Sequence, residues 1–275
     1  MLINLQLLPY RRRLLISLRR LSLLLVCAAV VLVNGCMTVE STTVNGRSIN
    51  EKKAAEEHVK AAMSYLSNKQ VGEAQRHLTR ALELDKTSIS AHNALALSYN
   101  MTGEYELAEK SYKDLLAIDP SYSPARNNYA AFLFQQNRVD EACAQLATVV
   151  LDPSYQKRAA AYYNLGVCRQ KQKDFEAAKT AFTRSVALDQ NVAMPYLELA
   201  DLTYNSGDYE LANKYYARYR EQSSGPTAKS LLLGIKLAVE SEDENATASR
   251  VLALKSLFPE SPEYREYQRR AKNYY

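Results

Sequence analysis

The chain has 275 residues, with Lys+Arg 35 against Asp+Glu 30 and hydrophobic residues at 47%. That composition excludes wholesale disorder and allows one large domain or two small ones. Eight Gly and eight Pro argue against a turn-rich all-β chain, and three His with four Cys leave little for a multi-ligand zinc site. In chain order, residues 1–35 come first. They carry Arg11, Arg12, Arg13, Arg19 and Arg20, no Lys and no acid. Next, Leu21–Val33 is almost wholly apolar, and as a helix it would span only about 20 Å of a hydrocarbon core about 30 Å thick. A basic start, a short apolar run and small residues before a Cys read as a secretory signal peptide. Removing those five arginines leaves 30 basic against 30 acidic residues. The positive balance belongs to the export signal, so it does not point to nucleic acid.

The junction Val33-Asn34-Gly35-Cys36 resembles the lipobox of bacterial lipoproteins, with Asn34 the less usual residue. The resemblance implies cleavage before Cys36 and acylation of that residue with palmitate-class chains, a covalent lipid and not a cofactor. Several acyl chains anchor stably, because each buried CH₂ contributes about 0.8 kcal/mol and a single chain is marginal. Met37 stands where an Asp would imply inner-membrane retention, so the resemblance favours the outer membrane, facing the periplasm. Residues 36–53 are polar and aperiodic and read as a lipidated flexible tether.

From residue 54 to 260 the sequence repeats. The window 89–122 carries Leu95, Ala96, Tyr99, Ala108, Tyr112 and Pro120 where the tetratricopeptide pattern places its signature residues. Equivalent windows are 55–88, 123–156, 159–192, 193–226 and 227–260, with two extra residues at 157–158. The resemblance implies an all-α, right-handed superhelix of about six helical hairpins. In such a fold small residues at positions 8 and 20 let paired helices approach, and bulky ones at 4, 7, 11 and 24 fill the contact with the next hairpin. Residues 261–275, rich in Arg, Glu and Tyr, suit a C-terminal capping helix.

Chemistry is sparse. His58 and His92 share the fourth repeat position and read as packing residues, and His77 has no ligand partner at i+4. No HExxH, CxxC, GxSxG or phosphate-binding glycine loop occurs. The expectation is therefore no catalytic residue, no metal, no cofactor and no small-molecule substrate. After processing, Cys143 and Cys168 remain. They fall on helices that pack together in this fold, and an oxidising compartment favours a disulfide. Two reduced core cysteines are the alternative.

Arrays of this kind bind partners on the concave face, lined by first-helix positions 2, 5, 9 and 12. Here the lining includes Asn93, Leu97, Asn100, Asn127, Ala131, Phe134, Tyr163, Val167 and Tyr204, together with Val59, Met63, Leu66 and Leu197. The lining is apolar or aromatic with Asn interspersed and almost no Lys or Arg, which disfavours a clamp for acidic C-termini. It suits a peptide with apolar side chains, held by Asn-to-backbone hydrogen bonds.

Asn127-Asn-Tyr-Ala-Ala-Phe-Leu133, Asp140-Glu-Ala-Cys143, Leu151-Asp-Pro-Ser-Tyr155 and Tyr163-Asn-Leu-Gly-Val-Cys168 resemble the PilF/PilW family of type IV pilus biogenesis lipoproteins. That resemblance spans about residues 50–260 and implies a pilotin. A pilotin is a non-enzymatic lipoprotein that binds the outer-membrane secretin of the pilus and promotes its localisation and multimerisation. Its other contact is the bilayer, through the acyl anchor. The competing reading is a tetratricopeptide adaptor in β-barrel assembly or cell-wall enzyme scaffolding.

Overall fold

Two small side chains per repeat determine how closely the helices pack. Position 8 is Ala62, Ala96, Ala130, Gly166, Ala200 and Gly234, and every one is buried. Position 20 is Ala74, Ala108, Ala142, Ala178 and Ala212, each 0% exposed, followed by a half-buried Ala246. With so little side chain at the crossing, the two helices of a hairpin meet nearly backbone to backbone. The bulky residue at position 24 then fills the remaining space: Leu78, Tyr112, Leu146, Phe182 and Tyr216 are all at most 6% exposed.

The structure is a computed structural model that describes residues 43–44 and 47–273. The expected signal peptide, 1–35, and the lipidation site Cys36 lie outside the described residues. Two units are distinguished, residues 1–53 and 54–275. In the first, β1 (Thr43–Val44) pairs antiparallel with β2 (Arg47–Ser48). Helix α1 runs Ile49–Ser67, so it starts inside the stretch read as tether, with Glu51 in its first turn opposing the helix dipole.

Among the described residues thirteen helices follow one another. After α1 come α2 (Val71–Leu84), α3 (Ile89–Thr102), α4 (Tyr105–Ile118), α5 (Ser123–Gln135) and α6 (Val139–Val149). Then come α7 (Arg158–Lys171), α8 (Phe175–Leu188), α9 (Ala193–Asn205), α10 (Tyr209–Gln222), α11 (Ala228–Glu240), α12 (Glu244–Leu257) and α13 (Pro262–Asn273). Helices α3 to α12 pack in consecutive pairs, and the second helix of each pair also touches the first of the next. Helices α1 and α2 share one buried cluster through Val59, Ala62 and Leu66 against Ala74, Leu78 and Ala81. The architecture is therefore an all-helical array of hairpins.

Each hairpin turn holds one residue in the left-handed region: Lys69, Gly103, Asn137, Lys173, Gly207 and Glu242. Their spacings of 34, 34, 36, 34 and 35 expose the two-residue insertion before the fourth hairpin and one extra residue in the connection between α10 and α11, before the sixth. The repeats end on a common device. Asp119 Oδ1 accepts from the backbone N–H and hydroxyl of Ser121, and Asp152 Oδ1 does the same with Ser154. At the C-terminal end Tyr264 and Tyr267 of α13, with Phe258, cover Leu231, Leu232 and Ile235 of α11. This closes a face that another hairpin would otherwise bury.

Candidate functional site

The first helices of the hairpins carry the residues read as a groove, and the structure sorts them by depth. Val59, Leu66 and Leu197 are buried at 8%, 9% and 0% and belong to the packing between helices, not to a lining. By contrast Met63 is 47% exposed. Ala131, Phe134, Tyr163 and Val167 come together in a hollow of about 270 Å³, with Ala130, Gln135, Leu146 and Asn164. Asn93, Leu97 and Asn127 line a second hollow of about 710 Å³ with Met63 and Asn128. It is also lined by loop residues that the repeat pattern did not nominate, Tyr122, Tyr155, Gln156 and Lys157. The two extra residues at 157–158 were the available signal for that lining.

The asparagines are wired to each other across neighbouring hairpins. Asn128 Nδ2 donates to Asn93 Oδ1 at 3.0 Å, and Asn164 Nδ2 donates to Asn127 Oδ1 at 3.3 Å. Asn100 Nδ2 likewise donates to Gln135 Oε1 at 3.1 Å. With their carbonyls engaged, Asn93 and Asn127 keep NH₂ groups to offer, while Asn128 and Asn164 keep acceptor capacity. The hollows thus present donors and acceptors in alternation beside apolar surface. Tyr204 lies apart from both hollows. Its hydroxyl donates to Glu240 Oε1 at 3.1 Å and its ring meets Tyr209 at 5.2 Å, and burial with the Glu240 charge pushes its phenol up to about 12.

The floor of the first hollow is continuous with the core. Tyr163 packs on Phe182, ring centroids 5.9 Å apart, and Phe182 fills the space that Gly166 leaves. Burial, with a smaller push from the Glu198 charge, raises the Tyr163 phenol above its ordinary range. Helices α6 and α7, either side of this hollow, are joined by a Cys143–Cys168 disulfide with Cα atoms 5.7 Å apart. A second fixture lies behind it. Glu109 accepts from Tyr129 Oη at 3.0 Å and Arg138 Nη1 at 2.7 Å, tying α4, α5 and the start of α6 together. Arg138, ahead of the burial that opposes it, holds the Glu109 carboxyl down to about 2.

The histidines are structural in placement. His58 and His77 bridge α1 and α2 through their Nδ1 atoms at 3.0 Å, with ring centroids 5.2 Å apart. The two rings are tilted by 45° and share that hydrogen bond, and Tyr65 stacks on His77 with ring centroids 5.3 Å apart. His92 Nε2 sits 3.0 Å from the Lys86 carbonyl. Among the described residues no group of three or more His, Cys, Asp or Glu could hold a metal ion. Nor is any described helix long and apolar enough to cross a membrane.

Stacked hairpins with small residues at positions 8 and 20 and a lined inner face define a tetratricopeptide-repeat protein, and models of that repeat match residues 59–123, 101–165 and 159–192. Over 244 residues the chain is 35% identical to the type IV pilus assembly protein PilF of Pseudomonas aeruginosa PAO1, covering 89% of this chain and 96% of that one. The solved structure of Pseudomonas aeruginosa PilF is similar at TM-score 0.76 and 36% identity, over 80% of this chain and 99% of that one. That of PilW, a widely conserved type IV pilus biogenesis factor, gives 0.68 and 27%, over 78% and 98%. The chain belongs to the PilF family of type IV pilus assembly proteins, which are non-enzymatic scaffolds.

Proposed function

We propose that the chain is a pilotin: an outer-membrane lipoprotein, acylated at Cys36, that binds the secretin of the type IV pilus and promotes its outer-membrane localisation and multimerisation. The observation that carries this reading is the 35% identity to PilF, sustained over 89% of the chain. The groove supplies the physical means. A secretin segment in extended form lays apolar side chains into the hollow of Ala131, Phe134, Tyr163 and Val167, and its backbone meets the free halves of Asn93, Asn127, Asn128 and Asn164. No bond is made or broken; the work is binding, and the acyl chains supply the destination.

The test is deletion of the protein followed by gel analysis of unboiled membrane fractions. Loss of secretin multimers with monomer retained supports the reading, and unchanged multimers in the outer membrane sink it. Cys36→Ala should leave the groove able to bind but send both proteins to the wrong membrane.

A further inference from the structure

The concave face reads differently at its two ends. Position 9 of successive hairpins is Met63, Leu97, Ala131, Val167 and then Asp201. The connection before α11 is one residue longer, so the next residue in that row is Lys236, its side chain 17% exposed and held by Glu266 at 3.0 Å, and the open row ends at Asp201. Asp201 is an acid at the end of a row that is otherwise apolar up to that point.

The surroundings leave Asp201 short of a partner. Among the described residues its one ion-pair contact is Lys229 Nζ at 3.9 Å, beyond hydrogen-bonding reach. Lys229 is already held by Glu198 Oε2 at 2.6 Å, and Glu198 is itself 5% exposed. The next cation, Lys236, pairs with Glu266 at 3.0 Å, and Arg270 pairs with the same Glu266 at 3.1 Å. So Glu266 absorbs two cations while Lys229 serves two acids. Asp201 is the acid served at the longer distance, with a side chain still 28% exposed. Burial holds its carboxyl above the ordinary range, with Lys229 opposing and Glu198 adding to the shift. A largely desolvated carboxylate without a donor is a group that gains from an incoming one. This acidic end adjoins the apolar hollow, because Leu199, on the helix that carries Asp201, packs in one cluster with Phe182, Tyr163 and Val167.

We infer that the groove is read directionally: the hollow of Ala131, Phe134, Tyr163 and Val167 takes an apolar side chain, and Asp201 takes a lysine or arginine of the same bound peptide. The inference rests on the groove reading given under Proposed function and deepens it, since it states the chemistry of the occupant. Asp201 lies one hairpin beyond Val167 and two beyond Ala131. With neighbouring helix axes about 10 Å apart, the cation falls about 10–20 Å from the apolar anchor. At about 3.3 Å per extended residue that is three to six positions along the peptide. A hydrogen-bonded charge pair at a partly buried site contributes about 1.5–3 kcal/mol, so losing it weakens binding about ten- to a hundredfold.

The experiment is selection of a random twelve-residue peptide display library on the full chain in detergent micelles, in parallel with Asp201→Asn and Asp201→Lys. The expected wild-type selection enriches an apolar or aromatic residue with Lys or Arg three to six positions away. Asp201→Asn should lose the cation while keeping the apolar residue, and Asp201→Lys should replace it by Asp or Glu at the same offset. Apolar enrichment with no cation in the wild type, or a cation preference that survives Asp201→Lys, overturns the directional reading and leaves the groove standing. Absence of any apolar enrichment removes the groove reading itself, and this inference with it.

Discussion

Replacing Gly166 by Ala tests whether the groove floor and the hairpin core are one mechanical unit. Gly166 is buried on α7, and a β-carbon built there runs into the Phe182 ring, with Cζ at 2.8 Å and two other ring atoms closer still. Phe182 is 0% exposed and packs with Ala178, Leu199, Tyr163 and Val167, so it has no free direction in which to withdraw. In an unobstructed helix interior, Gly→Ala stabilises by about 1 kcal/mol. Overpacking a filled core costs about 1–3 kcal/mol. The net expectation is a loss of about 0.5–2 kcal/mol by urea unfolding of the full chain.

Shortening the obstruction should recover most of that loss. Phe182→Leu alone removes ring contacts and destabilises, but in the double variant Gly166→Ala/Phe182→Leu the new methyl occupies vacated space. The two substitutions should therefore be non-additive by about 1 kcal/mol or more. Because Tyr163 rests on Phe182, the single variant should also weaken capture of peptides selected on the wild type, and the double variant should partly restore it. If Gly166→Ala proves neutral, or gains the bare helix increment, the close approach is not limiting and the argument fails.

Three further outcomes follow from the same contacts. Glu109, held down to about 2 from an unfolded value of 4.5, stabilises the fold above pH 4.5 and loses that contribution as pH falls toward 2. The shift corresponds to about 3 kcal/mol, reduced to about 1–2 kcal/mol for a pair with side chains 21% and 33% exposed; acid titration of Glu109→Gln should be correspondingly flatter between pH 5 and 2, and an unchanged profile refutes this. Lys173 adopts φ 64 in the turn before α8, so Lys173→Gly should stabilise by about 0.5–1 kcal/mol as strain relief exceeds the entropic cost of glycine; a lowered Tm would contradict it. Substituting both Cys143 and Cys168 by Ser opens a loop of sequence separation 25 and should cost about 3–4 kcal/mol by the chain-entropy estimate, read as a fall in urea midpoint that reductant reproduces in the wild type.

Helical period and a 34-residue spacing made the array readable, because positions 8 and 20 tolerate only small side chains where backbones meet. Ala62, Ala96 and Ala130 are 0% exposed, as their register requires. The groove was readable only as a set of rows. Which members of a row face outward depends on how far each hairpin is covered by its neighbour, so at position 5 Asn127 and Tyr163 are half-buried while Leu197 is 0% exposed. The side-chain network was not readable. Asn93 and Asn128 are 35 residues apart, Asn127 and Asn164 are 37, and Glu109 and Arg138 are 29. Such separations are set by the stacking offset between hairpins, and nothing local in the sequence marks them.

The asparagine wiring also bears on why a neutral surface can hold a partner firmly. A lone Asn in a groove is free to rotate its amide and must be ordered when a peptide arrives, at a cost in side-chain entropy. Once Asn128 donates to Asn93 and Asn164 to Asn127, each amide is fixed before binding, and the direction of its remaining donor or acceptor is set by the hairpin behind it. The same hairpins are braced by the Cys143–Cys168 bond and by Arg138 on Glu109. Rigid polar groups beside an apolar hollow lower the ordering cost of association without adding charge. Affinity gained this way is insensitive to salt, whereas the contribution of Asp201 is not. Screening the peptide complex with salt should therefore erode the preference for a cation and leave the apolar preference in place.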